Sequence, residues 1–197
     1  ITEENDWSVN DGCSGYSITK YGAEMETWRA SQEGVDVVIV NPGVILGGGF
    51  WETNTGKFFS KSMNGFPFYT DGVTGFVGVK DVVKAMILLM NSSIKNERFI
   101  LVSENTSFKN IFSLIAEEFK KKKPSIKVSK LMTSILWRIG FVISKIIRKP
   151  QLLTREGANS LHSKTYYSSK KIKKMLHFDF QSMEEVIKET SAFYLKK

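Results

Sequence analysis

The stretch VDVVIVNPG, Val35–Gly43, constrains the fold of this 197-residue chain more than any other. A strand with one face in water alternates apolar and polar side chains. Val35–Val40 has almost no polar relief, which suits a strand covered on both faces in a parallel sheet. Before it, Tyr16–Glu33 contains no proline, and Ala23, Glu24, Met25, Glu26 and Trp28 support a helix. Tyr21, Met25 and Trp28 fall on one side of that helix, and Gly34 supplies a stop just past its end. A helix, a tight turn and a buried strand make half of a βαβ unit, so the expected class is α/β.

The remaining segments extend this pattern. Val44–Trp51, VILGGGFW, reads as a glycine-rich loop. It lacks the G-x-G-x-x-G spacing with a strand before and a helix after, so it is not a dinucleotide fingerprint. A short helix is expected in TGKFFSKSMNG and a short strand in FPFY. GFVGVKDVVKAMILLMNS gives a strand and then a helix with Asp81 near its start, where a carboxylate favours unpaired N–H groups. Val82, Val83, Met86, Leu89 and Met90 form its expected buried stripe. Arg98–Ser103 is a further strand. Ser107 caps a helix with Phe108, Ile111, Phe112, Ile115 and Phe119 on one face; Pro124 ends it, and IKVSK is another strand. Ser182 with Glu185 is a capping-box pattern before Val186, Ile187, Thr190, Phe193 and Tyr194.

Composition removes several function classes. Cys13 stands alone, which excludes an internal disulfide framework and favours a reducing compartment, hence a cytoplasmic location. With His162 and His177 it gives no zinc-ligand spacing, so no metal is expected. The net charge of +8 raises the question of nucleic acid or anionic membrane. The basic residues gather in Lys120–Lys123 and Ser169–Lys174, beside amphipathic helices and without a nucleic-acid-binding signature. They read as solvated faces, with no nucleic-acid partner. Leu131–Ile147 is the most apolar tract, yet Arg138 and Lys145 interrupt it, and a membrane span needs about 20 apolar residues. A buried or partner-facing helix is expected there, with no stable membrane span. ITEENDW begins with isoleucine and has neither the basic nor the apolar region of a signal peptide, so the chain reads as part of a longer protein.

A tyrosine four residues before a lysine occurs at Tyr16/Lys20, Tyr166/Lys170 and Tyr167/Lys171. The later copies lie in KTYYSSKKIKKML, where serines interrupt and cap a basic helix. Only Tyr16/Lys20 opens a long helix leading into the VDVVIVNPG strand. On a helix that spacing puts both side chains on one face. An ammonium beside a phenol stabilises the phenolate and makes tyrosine a usable acid/base for a carbonyl or hydroxyl.

Taken in order, YSITKYGAE, VDVVIVNPGVILG, FVGVKDVVKAMILLM, RFILVSENTSFKNIF and SKKIKKMLHFDFQSMEEVIKET resemble the C-terminal half of an extended short-chain dehydrogenase/reductase. That family is also called NAD-dependent epimerase/dehydratase, and the wording is most similar to its dihydroflavonol-reductase-like branch. The resemblance implies an incomplete Rossmann-like parallel sheet, its N-terminal cofactor-binding half missing, with a small C-terminal substrate-binding lobe. Residues 1–50 would hold the catalytic helix and a Rossmann strand, and 51–197 mainly the substrate lobe with interleaved Rossmann elements. It implies Tyr16 as general acid/base and Lys20 as the residue that lowers its pKa and bonds the nicotinamide ribose. Pro42, Gly43 and Val44 would lie against the nicotinamide of NAD or NADP. Trp51–Thr74 and Leu131–Arg155 would shape the side facing a small-molecule substrate, and Asp81 would be structural. The glycine-rich dinucleotide loop and the catalytic serine or threonine have no match; Ser8 and Ser14 are not convincing substitutes. The implied function is part of an oxidoreductase or epimerase, inactive by itself, with a homodimer formed through helix 16–33. The competing reading is a non-enzymatic scaffold that binds an anionic membrane or a protein through its basic faces and the 131–147 helix.

Overall fold

The computed structural model describes residues 1–6, 14–52, 55–148 and 153–196. Ser8 and Cys13 lie outside them. The first long element is the helix α1 (Gly15–Gln32), followed by strands β1 (Val38–Pro42) and β2 (Val44–Leu46). Next come α2 (Gly56–Met63), β3 (Phe68–Tyr69), β4 (Val73–Gly78), α3 (Val79–Met90), β5 (Glu97–Leu101) and β6 (Glu104–Ser107). The chain continues through α4 (Phe108–Glu118), β7 (Ile126–Lys127), α5 (Lys130–Ile147), α6 (Arg155–Ser160), α7 (Lys170–Leu176) and α8 (Met183–Leu195).

The strands form an incomplete set of mostly parallel sheets. β1 runs parallel to β5, with Val38 opposite Glu97 and Pro42 opposite Leu101. The chain then shifts partner at Gly43. β2 runs parallel to β4, β4 is antiparallel to β6, and β3 pairs with β7 in parallel. Val44–Leu46, expected as part of a loop, is therefore a strand; its three apolar residues gain ladder partners on β4 that local glycine content did not signal. The preceding strand also sits later than the apolar run suggests, because Asn41 and Pro42 pair with β5.

Gly43 permits this switch. A Cβ there would lie 2.4 Å from the Gly75 carbonyl oxygen, and one on Gly75 would lie 2.5 Å from Val102 Cγ2. Both positions need glycine because backbone and side chain approach closely.

Two apolar clusters hold the elements together. Leu46, Trp51, Phe59, Phe76, Ile111, Ile115, Met183 and Ile187 pack beneath α4 and α8. Val77, Ala85, Leu89, Phe99, Leu101, Ile172 and Phe178 join α3, β5 and α7. Each fully buried Phe contributes about 1.5–3 kcal/mol relative to an exposed one. The α4 face agrees with the helical pattern: Ile111, Phe112 and Ile115 are buried, as is Phe119 at its end. The capping box of α8 is complete, with Ser182 and Glu185 each satisfying the other's backbone N–H.

The α1 and α3 surfaces differ from the periodic reading. Val82 and Leu89 are buried, joined by Asp81 and Ala85, but Val83, Met86 and Met90 are exposed. Met86, Leu89 and Met90 border a recess shared with Val38 and Val40. Nor is β1 covered on both faces: Val38, Ile39 and Val40 are half-buried, and among the described residues β5 is its sole ladder partner. α1 buries none of its residues. The recess beside α3 and the surface of α1 both border β1.

Candidate functional site

The site is built between α1 and β1. The α1 helix begins at Ser14, whose hydroxyl accepts the Ser17 N–H at 3.1 Å and donates to the Ser17 hydroxyl. Ser14 is thus occupied as an N-cap. Capping there places Tyr16 in the first turn, and residues recurring about every fourth position turn the same way. Tyr16, Lys20, Glu24 and Thr27 accordingly line one wall of an open cleft of about 900 Å³. The other wall comes from β1 and the switch into β2: Ile39, Asn41, Pro42, Gly43 and Val44.

All five residues singled out in the sequence (Tyr16, Lys20, Pro42, Gly43 and Val44) meet in this cleft. The Lys20 ammonium lies 5.9 Å from the centroid of the Tyr16 ring. Tyr16 is 74% exposed, so its phenol is accessible to a ligand.

Glu24 fixes the wall that carries Tyr16 and Lys20. Its carboxylate accepts Arg98 Nη1 of β5 at 3.1 Å and Asn41 Nδ2 of β1 at 3.3 Å. Arg98 is also held by the Glu3 carbonyl, to which its Nε donates at 2.8 Å. The Glu3 side chain in turn accepts the Ile100 N–H at 2.9 Å. The partly buried Glu24–Arg98 pair is therefore the tie between helix and sheet. Sequence reading missed it, although Glu24 continues the four-residue step from Tyr16 through Lys20.

Tyr167 also reaches the cleft, from a segment assigned only to a basic helix. It is placed by Asn105, whose side chain accepts the Tyr167 N–H and donates to its carbonyl, both at 2.8 Å. Ser169, expected to cap the following helix, instead accepts the Val102 N–H at 2.8 Å and donates to the Val102 carbonyl at 2.9 Å. Of the segments expected to face a substrate, only Thr74 lines the cleft, while Trp51 is core, packed edge-on against Phe59 and Tyr194. No described residue of 131–155 reaches it.

Asp81 lies away from the cleft at the start of α3. Burial pushes its carboxyl up, opposed by the Gln181 N–H, which donates to Oδ2 at 3.0 Å. His162 lies near α5, its Nε2 2.9 Å from Thr133 Oγ1, and burial together with Lys130 lowers its pKa. Among the described residues, no group of three or more His, Cys, Asp and Glu side chains could hold a metal ion.

The donor set fits one end of a nicotinamide dinucleotide. A phenol, an ammonium and the Pro42–Val44 turn suit a ribose and a flat ring, whereas the described residues contain no glycine-rich helix start to cradle a diphosphate.

No family model matches the chain. Among curated proteins it is 25% identical over 205 residues to tetraketide alpha-pyrone reductase 2 of Arabidopsis thaliana, covering 98% of this chain and 54% of that protein. It is 24% identical over 168 residues to cinnamoyl-CoA reductase 1 of Petunia hybrida, covering 74% and 49% respectively. The chain spans about half the length of the curated relatives it matches. Its fold matches a nucleoside-diphosphate-sugar epimerase from Pseudomonas aeruginosa with a TM-score of 0.78 at 18% identity, covering 98% of this chain and 60% of that one. It also matches dTDP-glucose 4,6-dehydratase from Bacillus anthracis, solved with NAD, with a TM-score of 0.72 at 13% identity, covering 100% and 56%.

Proposed function

We propose that the chain belongs to the extended short-chain dehydrogenase/reductase family and carries the proton-transfer helix and substrate side of an NAD(P)-dependent oxidoreductase or epimerase. The observation that carries this reading is the convergence of Tyr16, Lys20 and the Pro42–Val44 turn on one cleft. The nicotinamide, when bound, supplies or accepts the hydride. Tyr16 holds the proton at its phenolic oxygen and gives it to, or takes it from, the oxygen of a carbonyl or alcohol. Lys20, on the same face of α1, bonds the ribose. Glu24, by anchoring α1 to β1 and β5, holds both groups against the Pro42–Val44 wall.

The diphosphate cradle and the serine or threonine that steadies the substrate oxygen come from outside these 197 residues, so the chain by itself turns nothing over. The substrate is a small carbonyl or hydroxyl compound, and a dimer pairs through the exposed α1. The reductase names of the relatives and the NAD of the dehydratase neighbour support the cofactor class.

Calorimetry tests this division directly. The complete protein is expected to bind NADPH or NADH, and the 197-residue chain neither to an appreciable degree. Tight binding by the chain alone would overturn the division.

A further inference from the structure

The α5 helix is turned inside out relative to an ordinary surface helix. At 3.6 residues per turn, Thr133, Trp137, Gly140 and Ser144 share a strip. This is the side that meets the protein, with Thr133 buried and the other three half-buried. The aliphatic residues face away: Leu131, Ile135, Ile139, Val142, Ile143 and Ile146 fall in one arc, each 47–75% exposed. A surface helix normally buries that arc and offers polar residues to water. Between the two faces run Ser134, Arg138 and Lys145, with the Arg138 guanidinium over the Trp137 ring and the Lys145 ammonium over Phe141.

The surrounding sequence carries one sign of charge. From Phe119 to Arg155 there are eleven Lys and Arg residues and no Asp or Glu. An exposed aliphatic arc flanked by cations, with no acid in the segment, is complementary to an anionic lipid surface. A second copy of the chain fits poorly, because pairing two such faces brings like charges together. None of the residues lining the cleft belongs to α5. No helix among the described residues is long and apolar enough to cross a membrane.

We propose that α5 seats the protein on an anionic bilayer, lying in the headgroup plane along roughly 27 Å of helix. The aliphatic arc enters the acyl boundary, and Arg138, Lys145 and Lys130 meet lipid phosphates, whereas Lys123 and Lys127 are already paired with Glu117 and Asp71. This attachment is independent of the reaction in the cleft and delivers that cleft to substrates held at or near a membrane.

Flotation of the complete protein tests it, using phosphatidylcholine vesicles with and without roughly a third phosphatidylserine. Binding is expected only with the anionic lipid and is expected to fall as salt rises. Ile139→Glu combined with Ile143→Glu should weaken partitioning by about tenfold or more, and Arg138→Glu combined with Lys145→Glu several-fold. Because these side chains are exposed, both variants should retain the melting temperature. Absence of binding to anionic vesicles, or binding unchanged in both variants, would overturn the proposal. So would an isoleucine variant that dissolves an oligomer in sedimentation velocity while the parent ignores vesicles.

Discussion

Tyr16 and Lys20 show how little a short spacing says by itself. The same spacing recurs at Tyr166 and Tyr167, and one of these, Tyr167, also lines the cleft. What separates Tyr16 is its place on the first turn of α1, above the Pro42–Val44 turn. Its exposed phenol makes few demands on packing, so Tyr16→Phe should leave the melting temperature of the complete enzyme unchanged. The same variant should lower turnover by about 10²–10⁴-fold, the usual contribution of a positioned acid/base. His162 offers a pH test of stability. Its folded pKa lies below the ordinary value, so as pH falls the unfolded chain takes up a proton that the folded chain resists. Stability is therefore complete above about 6.5 and declines on acidification through that value toward the folded pKa. Melting curves at pH 7.5 and pH 5.5, both round choices about a unit either side of that midpoint, should separate for the parent and converge for His162→Gln.

Elements that carry their own caps and apolar period were legible in the sequence. α4 and α8 follow their apolar period and caps because the strands that cover them, β2 and β4 among them, belong to the same chain. β2 was not legible, since three apolar residues before a glycine run become a strand only through pairing with β4. The apolar face of α3 was misassigned for a related reason: Val83, Met86 and Met90 have the period of a core but border an open recess or solvent. The cleft was half legible: the helix wall came from residue chemistry, whereas Glu24, Arg98 and Tyr167 are brought in by tertiary contacts. Two predictions belong to this scale. Ser169→Ala leaves both backbone groups of Val102 without their buried partner and should cost about 1–3 kcal/mol in urea unfolding. Glu24→Gln removes the charge facing Arg98; discounted for partial exposure, it should cost about 1–2 kcal/mol. It should also weaken cofactor binding by the complete enzyme, because α1 loses its tie to β1 and β5.

For the whole molecule, the edge of β1 is the organising feature. Among the described residues β1 pairs with β5 alone, and both α1 and the recess beside α3 border it. Such an edge is a template for association. The 197-residue chain should therefore sediment as larger species than the complete protein at equal concentration. The cleft beside that edge is proposed to hold the proton-transfer wall of a nicotinamide enzyme. The most direct test is deuteride transfer from deuterated NADPH or NADH to a panel of small carbonyl compounds, comparing the complete protein with its Tyr16→Phe variant. Deuterium is expected in the alcohol product of the parent protein, with transfer slowed by about a hundredfold or more in the variant at unchanged cofactor affinity. Transfer by the variant at the parent's rate, with the same product, would contradict this proposal.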